Sequence, residues 1–89
     1  MPRMALLFPT ISPIMENLKP ENTAQKIKKL RLIRGYTQEY MAYKMGITQA
    51  GYSKIETSET SITLERAAII AEIFAMSLVE LIEWKEPNP

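Results

Sequence analysis

Cysteine, histidine and aspartate are all missing from this chain of 89 residues. Without cysteine there is no disulfide and no thiolate, which suits a reducing compartment. The lack of histidine removes the commonest acid/base group near neutral pH and the commonest zinc ligand. With no aspartate either, a nucleophile–His–Asp triad cannot be assembled. Long apolar runs are absent too: none approaches the roughly 20 residues of a membrane span. The MALLF run before Pro9 is too short for a signal peptide and no small-residue cleavage site follows it. No catalytic residue, metal ligand, cofactor or membrane contact is therefore expected, and the expected place is the cytoplasm.

What is present is enough apolar material, 46% of residues, for one core near the lower size limit for independent folding. The net charge of +1 conceals a division along the chain. Residues 1–55 carry nine Lys/Arg against three Glu, whereas residues 56–89 carry two against seven. The first part is thus +6 and the second −5. A polyanionic partner would be drawn to the first.

The positive part ends in QEYMAYKMGITQAGYSKI, residues 38–55. Met41, Ala42 and Met45 fall on one stripe of a short helix. Gly46 stands where that helix must stop, in a left-handed conformation that glycine adopts cheaply. Ile47 turns inward, Thr48 caps a second helix, and Tyr52 and Ile55 face the same core as the methionines. Small Ala42 lets the two helices cross closely. The pattern is a helix-turn-helix.

Gln38, Ala42, Gly46, Ile47, Tyr52 and Ile55 match the spacing of that motif in the phage repressor and Cro-like (XRE-type) family of DNA-binding domains. The resemblance runs from about Ile27 to Ile82 and includes IKKLRLIRGYTQE, SKIE, TLERAAIIAEIF and SLVELI. It implies an all-α, compact five-helix repressor-like domain, preceded here by an extended N-terminal arm. It also implies that Arg31 pairs with Glu56, tying the first helix to the second helix of the motif, and that Gln38 grips a DNA phosphate. By the same resemblance Gln49, Ala50 and Lys54 face bases, with exposed Ser53 beside them. Their chemistry suits base edges, since Gln can bond adenine, Lys can bond guanine, and an Ala methyl can lie against thymine methyl. Thr37, Lys44, Thr48 and the Tyr52 hydroxyl are further candidates for the DNA backbone. Gly51 either lets the backbone approach a sugar-phosphate or serves no purpose.

The rest of the chain divides into an arm over residues 1–22, a domain over 23–84 and a tail over 85–89. Pro9, Pro13 and Pro20 preclude a long helix in the arm, whose Leu6, Leu7, Phe8, Ile11 and Ile14 need a covering surface. The other reading of the arm is that translation starts at Met15. A first helix is expected over about Thr23 to Arg34, capped by Asn22 or Thr23. Ile27, Leu30 and Ile33 should face inward, and Lys26, Lys28 and Lys29 should be solvated. Thr37 should cap the second helix, while Tyr40 and Tyr43 should pack on neighbouring loops. Thr63 should cap a fourth helix with an inward stripe of Leu64, Ala67, Ile70, Ala71 and Phe74. Ala75 stands where the family tends to have glycine, so that helix end is expected to be rearranged; Thr57-Ser58 replace a glycine in the loop before it. Ser77 and Glu80 form a capping box opening a fifth helix. Trp84 is either a lid on the core or part of a dimer contact.

The function implied is a sequence-specific transcription regulator, a repressor, binding double-stranded DNA as a two-fold homodimer with the helix at about 49–56 in the major groove. Two alternatives stand beside it. One is an antitoxin that uses the same head on DNA and binds a toxin protein through arm or tail. The other is a protein-interaction module that does not bind DNA.

Overall fold

In the computed structural model, which describes residues 19–87, five helices follow one another. They are α1 (Pro20–Ile33), α2 (Gln38–Met45), α3 (Gln49–Glu56), α4 (Leu64–Ile73) and α5 (Leu78–Glu83). The domain is all-α among the described residues. The expected arm lies almost wholly outside them.

Four of the five helices begin on a hydroxyl. Thr37, Thr48, Thr63 and Ser77 accept from the backbone N–H of Tyr40, Gly51, Arg66 and Glu80. Each satisfies a donor that the first helical turn leaves without a partner. Ser77 and Glu80 close the expected capping box, the Glu80 carboxylate accepting from the Ser77 N–H at 2.7 Å. The first helix departs from expectation. It starts at Pro20 after Lys19, with no side-chain cap, rather than at Asn22 or Thr23. Proline is at home in a first helical turn, where its missing N–H costs nothing, so Pro20 opens the helix instead of excluding it. Thr23 is already inside, its hydroxyl donating to the Lys19 carbonyl.

Helix ends follow a second repeated device. At Gly35, Gly46, Ser58 and Ala75 the chain turns left-handed, with φ of 71°, 72°, 64° and 58°. Each of these residues donates to the carbonyl three positions back and its successor to the carbonyl five back, as in Ala75 to Glu72 and Met76 to Ala71. This is the Schellman ending. Ala75 therefore keeps the conformation glycine would adopt, and the expected rearrangement does not occur. The strain of about 1–2 kcal/mol is held by the packing on either side. Ala75→Gly should relieve it, less about 0.4–1 kcal/mol for the looser unfolded chain. The net gain is about 0–1.6 kcal/mol, so a thermal melt should rise by up to about 10 °C; a lower Tm would show that the alanine is not strained.

The core joins Ile27 and Leu30 of α1, Met41 and Ala42 of α2, Tyr52 and Ile55 of α3, Ile70 and Ala71 of α4, Phe74, and Leu81 of α5. Two residues placed inward by periodicity are outside. Ile33 is 56% exposed, because the buried face of α1 is set by Ala24, Ile27, Leu30 and Arg31 and turns Ile33 away. Leu64 is 70% exposed: it is the first residue of α4, a turn beyond Ala67, and rims an open apolar groove of about 230 Å³. Trp84 packs against the core from the end of α5. Lys26, expected in solvent, is half-buried and donates to the Ile82 carbonyl, while Lys29 pairs with Glu86 at 2.8 Å. The first ties α1 to the last turn of α5 and the second ties it to the chain that follows.

Candidate nucleic-acid interface

Helix α3 packs one side against α2 and α1 and leaves the other open. Tyr52, Ile55 and Glu56 make up its buried side. At 100° per residue Gln49, Ala50, Ser53 and Lys54 fall on one arc away from it. Gln49, Ala50 and Lys54 are exposed and Ser53 is half-buried. The four residues expected to face bases thus share one side of one helix, with Lys54 supplying positive charge in the last turn.

Gly51 is the third residue of α3. A Cβ built there would stand 3.2 Å from the Thr48 hydroxyl oxygen, the group that caps α3 by accepting from the Gly51 N–H. The contact is tight but the cap does not require glycine, since Tyr40, Arg66 and Glu80 carry a Cβ at the same position beneath the caps of α2, α4 and α5.

Beneath the open face lies a buried polar cluster centred on the Glu56 carboxylate. Arg31 Nε donates to Oε2 at 2.6 Å and Arg31 Nη2 to Oε1 at 3.3 Å. The side chains are 10% and 2% exposed, so the expected Arg31–Glu56 pair is formed and is an interior one. Two donors complete it: the Tyr52 hydroxyl at 2.5 Å to Oε2 and Gln38 Nε2 at 3.1 Å to Oε1. Arg31 Nη1 also donates to the Tyr36 carbonyl at 2.9 Å, fixing the loop between α1 and α2.

This cluster corrects one assignment. Tyr52 is fully buried, with its hydroxyl committed to Glu56, and presents nothing to a DNA backbone. The signal lies in the spacing: Tyr52 precedes Glu56 by four positions, and i and i+4 share a helix face. Of the other backbone candidates, Thr37, Lys44 and Thr48 are exposed and Gln38 is half-buried at the first position of α2. Tyr40 packs on Tyr36 with ring centroids 4.6 Å apart. Tyr43, expected to pack as well, is 80% exposed on the same helix.

Burial alone would push the Glu56 carboxyl up. The bonds from Arg31, Tyr52 and Gln38 outweigh it and hold the group below its ordinary 4.5. The bond to Glu56 raises Arg31 further, against burial, while burial and then that same carboxylate raise Tyr52. Between the lowered folded value and 4.5 the unfolded chain binds a proton that the folded chain does not. The stabilisation from Glu56 is therefore complete above that upper value and is lost as pH falls through the folded value. Urea midpoints measured from about pH 6 to 3 should decline, and Glu56→Gln should flatten part of the decline. Parallel curves for the two proteins would assign the acid sensitivity elsewhere.

Among the described residues no group of three or more acidic, His or Cys side chains could hold a metal ion, and no helix is long and apolar enough to cross a membrane. A family model described as helix-turn-helix matches residues 27–81, from the middle of α1 into α5. No curated protein matches the chain.

Proposed function

The chain belongs to the Cro/C1-type helix-turn-helix family, a family of DNA-binding regulators rather than of enzymes, and we propose that it is a sequence-specific repressor acting in the cytoplasm as a two-fold dimer. In this reading α3 enters the major groove, and Gln49, Ala50, Ser53 and Lys54 meet base edges. Gln38, Thr37, Lys44 and Thr48 hold the phosphates that set its position. The observation that carries the reading is the open arc of α3 itself, polar and cationic, backed by a helix face locked into the core.

The residues before the domain and the tail after it are read as accessory. A single helix of eight residues spans few base pairs, so specificity calls for a second copy on a half-site about 34 Å away. Exposed Leu64, on the groove between the start of α4 and α5, and exposed Val79 of α5 offer apolar area to that copy.

The test is binding of a labelled 20-bp duplex across a salt series. Affinity should fall steeply with salt, since each phosphate neutralised by Lys or Arg releases counterions. Failure to bind at any salt would favour the protein-interaction reading instead.

A further inference from the structure

The Gln38 amide does not point freely into solvent. It reaches the carboxylate at the far end of the reading helix, and that carboxylate can only accept. Oε2 is taken by Arg31 Nε and the Tyr52 hydroxyl, and Oε1 by Arg31 Nη2 and Gln38 Nε2. Four donors fill the acceptor sites of the group, and none of them can be exchanged for an acceptor without loss. An amide set the other way round would put its own oxygen against Glu56.

We propose that Glu56 is a positioning residue for DNA binding: it fixes the Gln38 amide nitrogen-inward, leaving the second N–H of that nitrogen to meet a backbone phosphate. A Gln38 released from Glu56 presents N–H and carbonyl to the phosphate in turn, and the carbonyl repels it. Fixing the amide beforehand removes the ordering cost from the binding step. The negative charge of Glu56 does not oppose the phosphate, because Arg31 balances it at 2.6 Å. Tyr52 is part of the same device. Its hydroxyl holds Oε2 from within α3, so the carboxylate plane cannot rotate away from Gln38. The grip on the backbone and the face that reads bases are thereby held in one register, since Glu56 closes α3 and Gln38 opens α2.

The proposal rests on the reading of Gln38 as a phosphate contact, and a double-mutant cycle separates the two. The probe is a fluorescein-labelled 20-bp duplex of random sequence, on which only backbone contacts count. Gln38→Ala should weaken binding about tenfold, the low end for a hydrogen bond to a charged group. Glu56→Gln should weaken it by a similar factor in the wild-type background and by less than about twofold in the Gln38→Ala background. Because Glu56→Gln disturbs the core beside Arg31, the cycle is repeated with Tyr52→Phe, which keeps the ring and removes only the hydroxyl. It should cost about threefold in the wild type and nothing measurable with Gln38→Ala. Melting curves confirm that each protein is folded at the assay temperature. Equal losses in both backgrounds would mean that Glu56 and Tyr52 serve stability alone, and would overturn the proposal. If Gln38→Ala binds like the wild type, the phosphate assignment itself has failed, and the proposal falls with it.

Discussion

Replacing Arg31 by Ala should remove about 3–5 kcal/mol of folding stability, the usual consequence of leaving a buried charge without its partner. Glu56 would keep the Tyr52 and Gln38 bonds but lose both contacts to a cation, inside a core where its side chain is 2% exposed. The Tyr36 carbonyl would lose its donor as well. A domain of this size has about 5–15 kcal/mol in total, so the variant should be partly unfolded at 37 °C. Exchanging both members for apolar residues, Arg31→Met with Glu56→Leu, should recover much of the loss, because the isolated charge rather than the missing pair is what costs most. Urea denaturation of the three proteins decides it. A loss below about 1 kcal/mol for Arg31→Ala would put the pair in the class of exposed salt bridges and contradict its placement in the interior.

The second large effect is expected on DNA. Gln49→Ala and Lys54→Ala should each weaken binding to a cognate site by about 1–3 kcal/mol, roughly 5- to 150-fold, with little change on random duplex. Both side chains lie on the open arc of α3 and none of the hydrogen bonds of the core passes through them, so their removal should leave the melting temperature within about 2 °C. Equal losses on cognate and random DNA would instead make them phosphate contacts. Lys54 could be recognised as such by a salt slope lower by about one counterion.

Much of this architecture can be read from local chemistry. Thr37, Thr48, Thr63 and Ser77 announce four helix starts, and Gly35 and Gly46 two helix ends, because capping and left-handed turns are decided by a residue and its near neighbours. The start of α1 departs from expectation for a reason of the same kind. Asn22 and Thr23 look like caps, but Pro20 is compatible with a first turn and lets the helix begin earlier. Ala75 and Ser58 show the converse. Their own preferences oppose a left-handed turn, and the packing of α3, α4 and α5 imposes it. Long-range polar contacts are harder to see. The Arg31–Glu56 pair is implied by a family resemblance, whereas Tyr52 and Gln38 joining it depend on where α2 starts relative to where α3 ends. Spacing puts Tyr52 on the Glu56 face of α3, yet only the packing of α2 brings Gln38 within 3.1 Å. Lys26 on Ile82 is a contact of the same type, between helices far apart in the chain.

The reading of bases by the outward face of α3 is tested most directly by selecting bound sites from a random DNA pool, once with the wild-type chain and once with Gln49→Ala/Lys54→Ala. The wild type should enrich a two-fold symmetric sequence with half-site centres about 10–10.5 bp apart, and the double variant should enrich no sequence, or a degenerate one. Failure of the wild type to enrich any sequence, or recovery of the same sequence by both proteins, would contradict the account.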